Sequence, residues 1–293
     1  MREIMAIVQT SMEVSPEEMT NTIGEIAKFW KDGSLVVYLG PDLFVNPPGF
    51  PTSEPELCAR LCEKITVPGR LKGKLHESAQ YIESYKHRKT LTSLMGELFT
   101  KDADEAPVHR ILSEYPLPLV VDTWFSTISS KCLVRTGEIQ ISAVSKAEYR
   151  DKWYRIDRKT KDGWEPADHV SPSDHVLYRP FGTMIPNVEV LVSDADFVEV
   201  LTEIDIQTPI PEWIKTHRTG KHFLFLGCHF DDQTTRMFAR QIMKRSSNRH
   251  FVVTDGAVLP KEGRFYEQEG ISILPLALNS TFLPKLKEVL GKD

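Results

Sequence analysis

The chain has 293 residues, a formal net charge of −5, and 41% hydrophobic residues. That is enough apolar material for one large domain or two modest ones. The mild acidity argues against a nucleic-acid partner held by bulk charge. The four cysteines are Cys58, Cys62, Cys132 and Cys228, and only the first two lie close together. With no second pair to complete a zinc site or a disulfide framework, they read as small buried side chains, and no metal is expected. No apolar run approaches a membrane span, and residues 1–14 lack the apolar core of a secretion signal. The default location is therefore the cytoplasm, with no membrane partner.

The first predicted helix begins at Ser15-Pro16-Glu17-Glu18, a capping box with proline in the first turn. Ile23, Ile26, Ala27 and Trp30 form its apolar stripe, and Lys31-Asp32-Gly33 ends it. Ser34 to Leu39 is a continuous apolar run of β formers stopping at Gly40, which suggests a buried strand of a parallel sheet. A loop rich in proline follows, and Ser53 with Glu56 forms a second capping box before Leu57, Leu61 and Ile65. Helical pattern resumes from Leu75 to Phe99 and again from Pro107 to Leu112. Leu117 to Asp122 reads as the second central strand.

The middle of the chain is less regular. Ile139 to Val144 alternates like a strand, and Arg155 to Trp164 reads as a hairpin turning at Asp162-Gly163. His175 to Arg179 is another strand, ending at Pro180-Phe181-Gly182. The C-terminal third returns to strict alternation. Ser193 and Asp196 cap a helix, His222 to Leu226 is a buried strand, and Asp231 or Asp232 caps the next helix. Phe251 to Thr254 and Ile271 to Leu274 are strands, with helices near 262–269 and 283–290. The fold class expected is α/β: a doubly wound, mostly parallel Rossmann-like sheet. Residues 1–33 read as an N-terminal helix packed on the core. Residues 34–293 read as one domain, with an inserted subdomain around 125–180.

Ligands of a doubly wound sheet bind beyond the carboxyl ends of its strands. That rule selects Gly40, Pro41, Asp42 and Phe44 after the first strand, and Asp122, Thr123, Trp124 and Ser126 after the second. It adds Phe181 and Gly182 after the strand ending at Arg179, and Gly227, Cys228, His229 and Asp232 after Leu226. Thr254 and Asp255 follow Val253. Among ionisable groups near strand ends, Asp122, His175, His229 and Asp231 are the candidates for acid–base work.

The order of these segments resembles the sirtuin-like (silent-information-regulator-type) domains of bacteria. Gly40 matches the first glycine of the family's GAGAS turn, and Gly49-Phe50-Pro51 its Gly-x-Pro step. His109 matches its helical histidine, Gly182 the glycine of its His-Gly pair, and Gly227 with Asp232 its late Gly-x-x-x-x-Asp motif. The resemblance runs from about Leu35 to Leu276 and implies a site for NAD or ADP-ribose.

The departures from that pattern are concentrated in the motifs that carry chemistry. GAGAS becomes Gly40-Pro41-Asp42-Leu43-Phe44, which removes an N–H donor and sets a carboxylate where a pyrophosphate would lie. Two unit charges about 4 Å apart repel by about 4 kcal/mol at an effective dielectric near 20. TTNYD becomes Asp122-Thr123-Trp124-Phe125-Ser126, so Trp124 replaces the asparagine and Ser126 the aspartate. The general-base histidine becomes Phe181. No catalytic residue survives at these positions and no cofactor is required. Trp124, Phe125, Phe181 and Phe44 are expected to fill the old pocket.

The sequence thus favours a sirtuin-like pseudoenzyme acting as a binding or regulatory module. The alternatives are a divergent NAD hydrolase or NAD-dependent deacylase, and a non-catalytic NAD or adenine-nucleotide sensor. A protein partner of unknown identity is expected, and aromatic surfaces would suit a homo-oligomer. The basic, aromatic stretch Arg155, Arg158, Lys159 and Lys161 reads as a solvated hairpin rather than a nucleic-acid surface.

Overall fold

A computed structural model describes residues 15–44, 49–101, 104–149, 151–203 and 209–292. Loop residues 45–48, with part of the proline-rich segment, lie outside the described residues, as do 1–14. Among the described residues, nine strands form one sheet in the order β11-β10-β9-β1-β2-β6-β3-β4-β5.

The central strands are β1 (Leu35–Leu39), β2 (Leu119–Asp122), β6 (Val176–Arg179) and β3 (Ile139–Ala143) on one side. On the other are β9 (His222–Leu226), β10 (His250–Val253) and β11 (Ile271–Leu274). All pairings among these seven are parallel. The hairpin β4 (Tyr154–Lys159) and β5 (Trp164–Pro166) then adds antiparallel to β3. The irregular middle of the sequence therefore extends the main sheet at its end, and the turn at Asp162-Gly163 forms as the sequence predicts.

Every residue of β1 is buried, and its alternation sorts the two faces. Leu35, Val37 and Leu39 point to the layer made by α1 (Pro16–Lys31), α5 (Pro107–Glu114) and α11 (Leu283–Leu290). Val36 and Tyr38 point to the opposite layer, with α8 (Glu212–His217), α9 (Gln233–Met243) and α10 (Pro260–Gln268). Helices on both faces explain why these strands are continuously apolar. The first helix is capped by both halves of the Ser15–Glu18 box. It docks through Ile23, Ile26, Ala27 and Trp30, whose indole donates to the Tyr115 carbonyl at 2.9 Å. Each large side chain buried there contributes about 1.5–3 kcal/mol.

A third cluster sits beyond the strand ends, built from α2 (Glu54–Lys64), α3 (Leu75–Lys86), α4 (Arg88–Phe99) and α7 (Asp194–Glu203). The sequence reads 75–99 as one helical stretch, but it breaks at His87, whose φ is +69°. The break lets α3 and α4 pack as a hairpin. It also releases Arg88 to bind Asp196 at 2.7 Å and Glu83 at 3.2 Å. The second capping box is only half formed. Ser53 accepts from the Glu56 amide at 3.3 Å, while the Glu56 carboxylate accepts from Thr52, one residue earlier than expected. Sequence reading also misses α6 (Ile128–Cys132), α8, and the two-residue strands β7 (Gly182–Thr183) and β8 (Glu189–Val190), all too short for a periodic signal.

Candidate functional site

The strand order reverses at β1: the chain leaves it for β2 on one side, and β9 pairs with it on the other. The carboxyl ends of β1 and β9 therefore flank the crevice where such sheets bind ligands. A cleft of about 610 Å³ opens there, within the size range of small-molecule sites. The loops after β1, β2 and β9 form one side. The other side comes from the N-terminal turns of α2 and α3.

The two glycines flanking the crevice are used on each other. A Cβ on Gly40 would lie 2.2 Å from the Gly227 carbonyl oxygen, and one on Gly227 would strike Asp42 and Leu43. Gly227 also has φ +64°. The closeness is fixed by backbone bonds: Gly40 N–H donates to the Leu226 carbonyl at 2.9 Å, and Asp42 N–H to the Gly227 carbonyl at 3.0 Å. Pro41 has no N–H to give. Two amides of the first loop are thus committed to Leu226 and Gly227 rather than to an anion.

Several neighbouring donors are engaged as well. Trp124 N–H donates to the Asp122 carboxylate at 2.8 Å, and Phe230 N–H to Glu262 at 2.8 Å. At the start of α9, Asp232 itself accepts from the Thr234 and Thr235 amides at 2.5 and 3.1 Å. This fixes which of the two aspartates is the cap.

Of the residues selected from sequence, Gly40, Pro41, Asp42, Thr123, Trp124, Phe181, Cys228, His229, Asp231 and Asp232 line the cleft. The others stand apart from it. Phe44 packs edge-on against Phe50 at 5.3 Å. Asp122 is 2% exposed, behind the wall, where Arg179 binds its carboxylate at 2.7 Å. The same fully buried guanidinium donates to the Trp124 and Ser126 carbonyls at 2.5 and 2.9 Å, so Ser126 belongs to this support. Gly182 lies in β7, where Glu189 crowds its α-carbon. Gly227 serves loop packing. Thr254 and Asp255 follow β10, two strands from β1, and do not reach the cleft.

Two histidines also move away from the chemistry. His175 immediately precedes β6, at the end opposite the cleft, and lines a small cavity with Leu117 and Leu133. His109 is 1% exposed and accepts from the Ala106 amide through Nδ1 at 3.1 Å. Its Nε2 lies 3.0 Å from the Ser129 hydroxyl, and burial lowers its pKa, so it stays a neutral strut.

The aromatic residues build walls rather than a plug. Trp124 donates its indole N–H to the Pro51 carbonyl at 2.8 Å and packs edge-on against Phe99. Phe181, Phe197 and Phe238 form a mutually edge-on triad with centroids 5.1–5.3 Å apart. Trp124 and Phe181 line the cleft, so these packed rings bound its space and do not fill it.

The ionisable residues on the cleft are mostly acidic. Asp42 and His229 face each other across the mouth at 3.4 Å, both largely exposed. Their hydrogen bond raises the imidazole pKa and lowers that of the carboxyl. Lys74 pairs with Glu77 at 3.4 Å. Burial pushes the Cys228 thiol far up, so it is no nucleophile. Sequence reasoning misses Glu54 and His76. Burial raises the Glu54 carboxyl, with His76 opposing the rise and the charges of Asp232 and Asp231 adding to it. The only available signal was local: the cap at Ser53 places Glu54 at the first turn after the loop, and Gly73 opens the turn before His76.

Among the described residues, no group of three or more His, Cys, Asp or Glu side chains is arranged to hold a metal ion. No helix among them is long and apolar enough to cross a membrane. No curated protein matches the chain. A comparison with known families matches residues 118–274 to the SIR2-like domain. That stretch runs from the start of β2 through β11, and so contains the cleft's loops after β2, β6 and β9 and most of the sheet. More than half of the sequence lies within the match, and the chain belongs to the SIR2-like domain family.

Proposed function

We propose that this protein is a SIR2-like binding module that keeps the family's cleft and lacks its NAD-dependent chemistry. The observation that carries this reading is the pair of rings at the two positions where the family resemblance expects an asparagine and a general base. Trp124 and Phe181 stand there, both locked by packing, and a hydrocarbon ring face cannot accept a proton.

The residues present do not fit an NAD pyrophosphate in the usual pose. Such a group needs bare backbone donors and a helix N-terminus. Here the Gly40 and Asp42 amides are bonded to Leu226 and Gly227, and α9 is capped by its own aspartate. Asp42, Glu54, Asp231 and Asp232 add negative charge around the same opening. The buried Asp122 and the structural His109 supply no substitute for the missing groups.

The test is a panel of NAD, ADP-ribose and ATP against purified protein, read by melting temperature and by product analysis. The proposal expects no product and little stabilisation. A nucleotide that raises the melting temperature by mass action and is recovered unchanged would make the chain a nucleotide sensor. Enzyme-like consumption of NAD, with or without an acylated peptide, would remove the proposal.

One observation favours a second reading, relocated hydrolytic catalysis. An imidazole enters the cleft from α3, with His76 Nε2 4.0 Å from Glu54. If that pair replaces the lost base, NAD consumption should be detectable and should collapse in His76→Gln.

A further inference from the structure

One buried polar group on the cleft is left unsatisfied by the protein. Tyr38, the fourth residue of β1, lines the cleft and is 2% exposed. Its ring is held against Phe225, with centroids 5.0 Å apart. No hydrogen bond joins its hydroxyl to any other described residue, and none contributes to its pKa. Burial pushes that pKa far up, with Cys228, Tyr178 and Asp122 adding to the rise, so the group stays a neutral O–H. Nor is the hydroxyl sealed in the core without a partner, as the Ser142 hydroxyl is. A residue this deeply buried meets the surface where it lines the cleft, and its hydroxyl opens there.

The surroundings of that hydroxyl are apolar. Trp124, Phe125, Phe181, Phe197 and Phe230 line the same cleft, each no more than 8% exposed. Such walls favour another ring, stacked with an offset or set edge-on. A buried hydroxyl without an acceptor is costly, and an entering acceptor relieves that cost. Asp42 and Asp231 line the cleft as well and disfavour an anion.

We infer that the cleft binds an uncharged aromatic molecule with a hydrogen-bond acceptor at its buried end, and that Tyr38 is the residue that selects it. The Tyr38 hydroxyl donates to the acceptor, and the ligand's ring packs among the aromatic walls. In an apolar pocket a single placed polar group fixes orientation and provides specificity. This inference rests on the binding-module reading and names the ligand class and the specificity-determining residue of the same cleft.

The experiment is a ligand-observed NMR titration of the full chain and of Tyr38→Phe, which removes one oxygen and keeps the ring. The probes are acetophenone, ethylbenzene and benzoate: the first carries the acceptor, the second keeps the shape without it, and the third adds a negative charge. Saturable binding of acetophenone is expected. Tyr38→Phe should weaken it about five- to tenfold and change ethylbenzene by less than about twofold. Benzoate should bind more weakly than acetophenone. Because the hydroxyl has no partner inside the protein, Tyr38→Phe should melt no lower than the parent chain, a readout that a structural role would move. Four results would each overturn the inference: no saturable acetophenone binding, equal weakening of both neutral probes by Tyr38→Phe, tighter binding of benzoate, or a melting temperature lowered by about 2 °C or more. NAD turnover is the result that defeats the binding-module reading, so the two failures are distinct.

Discussion

The buried pair Arg179–Asp122 holds the cleft wall from behind, and its removal provides the sharpest test of how the wall is built. Arg179 is fully buried and binds one carboxylate oxygen and two main-chain carbonyls within 2.9 Å. Arg179→Met leaves the Asp122 charge inside the protein with the Trp124 amide as its remaining partner. Breaking one side of a buried ion pair costs about 3–5 kcal/mol, and each abandoned carbonyl adds up to about 1–3. We expect about 5 kcal/mol for Arg179→Met and about 3 for Asp122→Asn. The double variant should cost about 5, against the 8 expected of independent sites, because the stranded charge disappears with its partner. Urea unfolding of the four proteins gives the coupling, and the melting temperature of Arg179→Met should fall by roughly 10 °C or more. Additivity within about 0.5 kcal/mol would refute the pairing. It would return Asp122 to the list of groups free to act in the cleft.

The glycine contact is a second place where substitution should be severe: Gly40→Ala forces a methyl against the Gly227 carbonyl. We expect a loss of about 3 kcal/mol or more in urea unfolding, since neither backbone segment can yield without breaking its bonds. His250 is buried, its Nδ1 accepts from the Phe223 amide at 3.0 Å, and burial holds its pKa down to about 4. The unfolded chain binds this proton below its ordinary pKa near 6.5 and the folded chain does not, so stability falls as pH drops from about 6.5 to about 4. The loss should reach about 2–3 kcal/mol in unfolding measured across that range, and His250→Gln should flatten it. The His229–Asp42 bridge has the opposite dependence at its upper limit. The raised imidazole pKa makes its contribution complete below about 6.5 and lost as pH climbs through the folded value. The depressed carboxyl pKa removes it only in strong acid. Because both groups are exposed, His229→Gln should change stability by less than about 1 kcal/mol, with the small difference vanishing at pH 9.

Much of the fold is written in short-range chemistry. Ser15-Pro16-x-Glu18 specifies a helix start completely, and the structure forms both bonds of that cap. The runs 35–39 and 222–226 announce buried parallel strands because neither face meets water, and they pair with each other at the centre of the sheet. Features that depend on distant partners escape the pattern. The turn at His87 is set by what Arg88 binds on α7, more than a hundred residues away. The carboxyl ends of β1 and β9 could be named as the site from topology. Which side chains face the cleft could not, because Asp122 and Trp124 are two residues apart, yet Trp124 forms the wall and Asp122 is buried behind it. Glu54 and His76 carry no motif at all. They become visible only when α2 and α3 fold over the strand ends.

The most direct test of the central claim is a single-turnover experiment with protein in excess over labelled NAD, followed for hours by chromatography of the nicotinamide released. We expect release no faster than in buffer, and no change in Trp124→Ala or His76→Gln. Stoichiometric release within minutes, abolished by substitution of a residue lining the cleft, would contradict the account and show that the chemistry has been rebuilt rather than lost.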